Sequence, residues 1–217
     1  MKKEHDIFGN TGLQFFGKIS ASLSHELKNA LAVINENAGL LTDLVHMSEK
    51  GHPLDPGRIK GVGSKVMEKV KHADSIIKNM NAFAHSVDIP VSETDIGETL
   101  TLLLALTRRI TSNRGIRVYL DSPASPLCVH TSAYGLLHLC WDCIESFMDW
   151  VGEEKEIGLV PEKTEQGCRI RFCKLEQMPS DSEILKEQKE LLKTLRAELA
   201  AETDKKEVIL MLPLRLS

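Results

Sequence analysis

The sequence predicts an α+β fold, in which an N-terminal long helical hairpin forms a dimeric four-helix bundle and an α/β sandwich domain follows. Residues 12–86 carry two long stripes of apolar side chains at helical spacing, separated by a segment with two prolines and two glycines. After Ile89 the pattern changes to alternating helix-like and strand-like stretches. The predicted domains are therefore residues 1–90 and residues 91–217.

The first two predicted helices are defined by their apolar stripes. Asn10 or Thr11 is a suitable N-cap for the first helix. Its stripe consists of Phe16, Leu23, Leu27, Leu31, Ile34, Ala38, Leu41 and Val45. The segment Gly51–Gly57 breaks the helix. The second stripe consists of Val62, Val66, Val70, Ala73, Ile77, Met80 and Ala84, and Asp88, Ile89 and Pro90 are expected to end that helix.

The length of the hairpin predicts a homodimer. A first helix of about 35 residues would be about 50 Å long. A single hairpin of that length leaves much of both apolar stripes in water. Two hairpins paired as a four-helix bundle would cover them. The alternative is a bundle completed within one chain by later helices.

The second half alternates between predicted helices and strands. The helices cover about Gly97–Asn113, Ser132–Val151 and Ser182–Ala201. The strands cover Ile116–Leu120, Glu156–Val160, Cys168–Cys173 and Val208–Leu214. Helices and strands mixed in this order indicate an α/β sandwich.

Composition excludes several classes of partner. The 217 residues carry a formal net charge of -4 with a pI of about 6.1, and aromatic residues make up 5%. Nucleic-acid binding normally needs a basic surface or aromatic stacking platforms, so we expect no nucleic-acid partner. The N-terminus MKKEHDIFGN lacks the apolar run of a signal peptide, and no stretch approaches the roughly 18 apolar residues of a spanning helix. We therefore expect a cytoplasmic protein with no membrane partner.

Other chemistry-bearing residues have structural explanations that we favour. The five cysteines suggest reduced, mostly buried thiols, and the Cys140–Cys143 pair lacks a second ligand pair of fitting spacing. His130 and His138 are more simply structural histidines than metal ligands. Lysines on the second helix either form a solvated face or steer an acidic partner, and both readings stay open: Lys60, Lys65, Lys69, Lys71 and Lys78.

The candidate reactive residue is His25 on the first helix. If the apolar stripe faces the core, His25 points away from it, and Ser22, Asn29 and Glu36 share its outer face. Neutral imidazole is a good nucleophile at cytosolic pH, and its N-phosphate is labile enough for reversible transfer. Glu26 is expected to accept the ring proton and fix the tautomer, and Asn29 to orient water or a phosphoryl oxygen.

The run from Phe15 to Asn29 closely resembles the phosphoacceptor box of sensor histidine kinases. It contains Ser24-His25-Glu26-Leu27-Lys28-Asn29, and the family carries a motif of this type on the first helix of its dimerisation and histidine-phosphotransfer hairpin. The resemblance implies that His25 is the phosphoacceptor, Glu26 its acidic neighbour and Asn29 the polar position linked to phosphatase activity. Ala30 stands where the family often has proline, so a kink there is not expected.

The second half resembles the ATP-binding domain of the same kinases in layout, but not in chemistry. Asp142 and Ser146 occupy the positions of the family's magnesium-binding asparagines, and Phe147 replaces a small residue. Lys174–Met178 follows the strand after which the family has an Asp-x-Gly-x-Gly turn, and no glycine occurs from Lys174 to Ser217. The nucleotide lid is therefore absent. The resemblance thus implies a degenerate histidine-kinase-type domain that steadies the bundle or helps to dock a partner.

The combined expectation is a dimeric histidine phosphotransferase of a phosphorelay. The donor and acceptor would be response-regulator receiver domains, with His25 carrying the phosphoryl group between their aspartates. This chain would need no cofactor, because the Mg²⁺ belongs to the partner receiver. Three alternatives stay open: a histidine autokinase with an atypical ATP site, a receiver phosphatase, and a non-catalytic kinase-binding module.

Overall fold

A computed structural model describes residues 9–121, 123, 125–177 and 181–216, and for 181–187 only the backbone. The chain divides into two compact units. One unit takes in the chain up to Ile19 and again from Ala82 onward, and the other is Ser20–Asn81. The architecture is α+β, with long N-terminal helices followed by a mixed-sheet α/β domain, as predicted. The domain boundary at residue 90 stays a prediction. Most of the N-terminal segment MKKEHDIFGN lies outside the described residues.

The hairpin unit is built from two helices that are longer than globular helices usually are. Helix α1 covers Asn10–Glu49 in 40 residues, and α2 covers Pro56–His85 in 30 residues. The break between them falls in the predicted Gly/Pro segment, where Gly51 adopts φ +91°. Pro56 opens α2, a position where its missing N–H costs nothing.

Only part of the apolar surface of this hairpin unit is buried in one chain. The buried side chains on α1 are Leu23, Ala30 and Leu44, and those on α2 are Val62, Ala73 and Ile76. Other large apolar side chains stay exposed, such as Leu31 at 53% and Met67 at 58%. Each helix thus has a second apolar face that a single chain does not cover.

The sandwich unit contains two sheets. The strands are β1 Ser92–Asp95, β2 Arg117–Leu120, β3 Cys128–Thr131, β4 Glu156–Thr164, β5 Gly167–Cys173, β6 Glu198–Glu202 and β7 Glu207–Pro213. Strands β1 and β3 pair antiparallel, and the other five form a sheet in the order β2-β4-β5-β7-β6. The β2–β4 pair is parallel and the other pairs of that sheet are antiparallel. The sheet is therefore mixed.

Three helices complete the sandwich: α3 Ile96–Asn113, α4 Ala133–Phe147 and α5 Asp181–Leu195. Asp95 and Ser132 cap α3 and α4 through their side chains. Phe147 of α4 meets Phe172 of β5 edge to face, with ring centroids 5.1 Å apart. Helices and sheet therefore share one apolar core.

The first turns of α1 belong to this unit and pack on α4. Phe15 stacks on His138 with ring centroids 4.8 Å apart and meets Phe83 edge to face at 5.5 Å. Tyr134 Oη donates a hydrogen bond to the Gly12 carbonyl at 2.6 Å. Burial lowers the pKa of His138 to about 4, outweighing the Asp142 carboxylate 3.4 Å from its Nε2. His138 is thus a core histidine, as the sequence predicted.

The sequence-based interpretation was wrong about the C-terminal region in one respect. The charged helix was expected to reach Ala201, but α5 ends at Leu195 and residues 198–202 form β6. Arg196 ends α5 with φ 49°, and Lys206 turns the chain into β7 with φ 54°. Because neither residue is glycine or asparagine, the sequence carried no signal for these two turns.

Among the described helices, none has a stretch that is both long and apolar enough to cross a lipid bilayer.

Candidate functional site

Helix α1 presents three separate faces within the hairpin unit. Positions seven residues apart fall on nearly the same side of a helix. The buried face carries Leu23, Ala30 and Leu44, and the exposed apolar face carries Leu31, Ala38 and Val45. A third face carries the exposed residues His25, Asn29, Ala32 and Glu36. The histidine is therefore separate from both apolar faces.

One residue expected on the histidine face is not there. Ser22 was predicted to share the outer surface, but it is only 6% exposed, and its Oγ has no hydrogen-bond partner among the described residues. A helical-wheel reading from the apolar stripe alone misplaced it, because the buried surface of α1 is wider than that stripe. Ala21 and Ala32 are exposed on α1, so two short side chains flank His25.

The ring of His25 is in contact with Asn29 one turn later. Asn29 Nδ2 lies 3.3 Å from His25 Nδ1. The orientation of the amide and the tautomer of the ring are linked. Either the amide nitrogen donates to an unprotonated Nδ1, or the turned amide accepts from Nδ1–H through its oxygen. The second arrangement leaves Nε2 unprotonated, and Nε2 makes no hydrogen bond to any described residue.

Glu26 makes a contact that the sequence did not predict. Its Oε1 lies 3.2 Å from Nε2 of His72 on α2, and the two side chains are 20% and 33% exposed. The expected hydrogen bond between Glu26 and the His25 ring is not formed among the described residues, and Asn29 contacts that ring instead. His72 directly precedes Ala73 of the α2 stripe. This position beside the stripe was the sequence feature that could have indicated a contact with α1.

The lysines of α2 are partly paired with acidic neighbours. Lys78 pairs with Asp74 at 2.8 Å, which raises the pKa of Lys78, and Lys69 lies 3.5 Å from Glu68. Lys60, Lys65 and Lys71 are exposed. Their proposed steering of an acidic partner stays a prediction.

Helix α4, which carries Asp142 and Ser146, makes internal contacts through both residues. Ser146 Oγ donates to the Asp142 carbonyl at 2.9 Å and lies 3.4 Å from Nε2 of Gln188 on α5. Phe147 is buried, and Glu145 pairs with Lys18 from the first turns of α1. The Ser146 hydroxyl is therefore engaged with neighbouring protein groups, and the Asp142 carboxylate lies 3.4 Å from His138 Nε2.

The segment after β5 is tied to the chain that follows α4. The backbone N–H groups of Glu176 and Gln177 both donate to the Trp150 carbonyl, at 2.9 and 3.3 Å. Leu175 is buried and forms an isolated bridge with Val151. A Cβ built on Gly152 would lie 2.2 Å from the Glu176 carboxyl group, so that side chain covers the glycine. Backbone amides at this point are committed to protein contacts.

The five cysteines differ in burial. Cys140, Cys143 and Cys168 are buried, all five thiols are free, and burial raises the pKa of each of these three thiols. Cys128 is exposed and Cys173 is half-buried. Within the described part of the chain, no three His, Cys, Asp or Glu side chains are placed to hold a metal ion.

Comparison with known proteins supports the fold. The sequence matches no family model and no curated protein. The solved catalytic domain of histidine kinase ThkA is similar with a TM-score of 0.51 at 12% identity, over 59% of this chain and 100% of that one. The histidine kinase AdeS of Acinetobacter baumannii has a TM-score of 0.49 at 10% identity, over 88% and 98%. ThkA in complex with the response regulator protein TrrA gives 0.46 at 15%, over 93% and 63%.

At these identities the likeness is one of fold, and it rests on the ThkA catalytic domain, whose TM-score exceeds 0.5. Over 59% of its length, the chain therefore shares the fold of histidine-kinase catalytic domains, and a shared fold does not by itself fix the chemistry.

Proposed function

We propose that this chain is a histidine phosphotransfer protein of a two-component phosphorelay. His25 accepts a phosphoryl group from the aspartate of one response-regulator receiver domain and passes it to another, without ATP. The observation that carries the proposal is the placement of His25. It is exposed on a face of α1 separate from both apolar faces, with Asn29 Nδ2 3.3 Å from its Nδ1.

In the transfer step, the partner receiver supplies both the phosphoryl group and the leaving carboxylate. The Nε2 lone pair attacks phosphorus, the bond between phosphorus and the receiver's aspartyl oxygen breaks, and its electron pair returns to the carboxylate. The ring becomes positively charged, and a hydrogen-bond acceptor on Nδ1–H stabilises that charge. Asn29 is placed to supply the acceptor oxygen. The Mg²⁺ that neutralises the phosphoryl oxygens belongs to the receiver.

The described residues directly after β5 offer little to a nucleoside triphosphate. Phosphate loops need backbone amides that are free to converge on the ligand, usually with the help of glycine. Here the Glu176 and Gln177 amides are bonded to Trp150, and Leu175 is buried between neighbouring segments. This supports a phosphoryl donor other than ATP.

The exposed apolar face supports a homodimer. Leu31, Ala38 and Val45 on α1 continue with Met67, Val70 and Ile77 on α2 as exposed apolar side chains of one hairpin. A second hairpin packed on this face would complete a four-helix bundle. The His25 face would remain accessible to a receiver.

The test is phosphoryl transfer from purified, ³²P-phosphorylated receiver domains of the source genome. Acid-labile label is expected on the wild-type chain and not on His25→Gln, and a second receiver should remove it. Labelled ATP alone is expected to give no incorporation. Incorporation from ATP would establish the autokinase instead. Loss of receiver label that persists in His25→Gln would establish a phosphatase, and binding without transfer would establish a non-catalytic module.

A further inference from the structure

The contact between Glu26 and His72 joins the two helices of the hairpin beside the reactive histidine. Glu26 directly follows His25 in α1, yet its carboxylate lies 3.2 Å from His72 Nε2 on α2. The two side chains are 20% and 33% exposed, so water screens the pair only in part. The carboxylate next to His25 is therefore held by a residue of the other helix.

A carboxylate in this position has two possible partners. A hydrogen bond from Nδ1–H of an imidazole to a carboxylate makes the other ring nitrogen a better nucleophile and stabilises the cation that forms. Glu26 is adjacent to His25 in sequence and has this chemistry available. Its Oε1 is held by His72, and the Nδ1 of His25 is in contact with Asn29 instead.

We propose that His72 competes with His25 for the Glu26 carboxylate and thereby sets the rate of phosphoryl exchange at His25. The inference rests on the proposed function. His72 is a positioning residue, because it acts through Glu26 and not on the phosphoryl group. When Glu26 leaves His72, it replaces Asn29 at Nδ1 of His25 and accepts the Nδ1 proton as the nitrogen–phosphorus bond forms. In the reverse transfer the proton returns to Nδ1 as that bond breaks.

Among the described residues, the ion pair of His72 is with Glu26 on α1. One turn earlier on α2, Glu68 and Lys69 lie 3.5 Å apart, so their charges largely offset each other. Glu26 is thus the acidic group in direct contact with His72, and the charge on His72 determines how strongly it holds Glu26.

The experiment is a substitution series at His72 that changes the strength of this hold. Arginine keeps a permanent positive charge, glutamine keeps a neutral donor, and leucine keeps no donor. We expect the rate of transfer from a phosphorylated receiver to increase in the order His72→Arg, wild type, His72→Gln, His72→Leu. The contact between His72 and Glu26 is charge-assisted and partly screened by water. Its loss should change the transfer rate on the order of fivefold between His72→Arg and His72→Leu.

The same series in a Glu26→Gln background distinguishes positioning from a merely structural effect. The transfer rates of all His72 variants should then be equal within error, because the carboxylate for which His72 and His25 compete has been removed. A series that persists in Glu26→Gln, or one that runs in the opposite order, overturns the proposal. His85 provides the matched control: it pairs with Asp88 at 2.7 Å on the same helix, and its Arg, Gln and Leu variants should transfer at the wild-type rate.

A chemical donor separates this inference from the proposed function. Phosphoramidate phosphorylates histidine directly and releases ammonia, and mass spectrometry measures the rate at His25. If the ordered series appears with phosphoramidate but no receiver donates, the competition stands and the relay function fails. If receivers donate but neither donor gives the ordered series, the competition alone fails.

Discussion

The exposed apolar face of the hairpin gives the sharpest test of assembly, through Leu31→Asp. Complete burial of a leucine contributes about 1.5–3 kcal/mol. Leu31 is 53% exposed in one chain. Burying the rest of this side chain on dimer formation would therefore contribute about half of that free energy, about 1 kcal/mol per subunit. A symmetric dimer loses it twice, about 2 kcal/mol, which corresponds to a rise in dissociation constant of about 30-fold. Burial of an unpaired carboxylate adds to the loss.

Sedimentation equilibrium over a range of concentrations measures this dissociation constant. The matched control is Ala32→Asp, which adds the same charge one residue later on the exposed histidine face. It should remain dimeric, and circular dichroism should show equal helix content in both variants. A wild-type chain that is monomeric, or a Leu31→Asp variant that dimerises as tightly as wild type, would refute the assignment of this face to a dimer.

Three further predictions concern the sandwich unit. His138 has a pKa of about 4 when folded and about 6.5 when unfolded, so the unfolded chain binds its proton more readily. The free energy of unfolding should therefore fall by about 3 kcal/mol between pH 6.5 and pH 4, and urea titrations of His138→Gln should show a flatter profile. Gly158→Ala places a Cβ 2.5 Å from Cys173 Sγ, and thermal unfolding should show a loss of about 1–3 kcal/mol in the free energy of unfolding. In the control Gly61→Ala the added Cβ meets nothing within 4 Å, so that variant should not be destabilised. Phe15→Ala removes three aromatic contacts and should cost about 3–5 kcal/mol, and a variant as stable as wild type would contradict the packing of α1 on α4.

Much of the fold was predictable because it depends on local periodicity. The hairpin turn and the long helices follow from apolar spacing and from the Gly/Pro segment, and the strand Cys168–Cys173 differs from β5 by one residue. The short strands β1 and β3 were missed because their four residues are mostly polar, whereas the equally short β2 lies in the alternating run Ile116–Leu120. Strand β6 was missed because its residues, Glu198–Glu202, favour helix locally and pairing with β7 overrides that preference.

The candidate site was predictable only in part. His25 and Asn29 lie one turn apart on one helix, so sequence spacing places them together. The partner of Glu26 lies 46 positions away on another helix, and helix-to-helix register is not encoded in the spacing of either helix alone. Ser22 was misplaced for the same reason, since its burial depends on what surrounds α1 and not on α1 itself.

The separation of α1 into three faces has a consequence for how such a protein changes over generations. Ala21, Lys28 and Ala32 lie within two turns of His25 on α1 and are all exposed, so they contribute little to hairpin packing. Substitutions there alter the shape and charge that an incoming protein meets, while the residues that join helix to helix are inherited unchanged. A duplicated copy of the gene could thus encode a protein with a new binding partner and an unchanged stability.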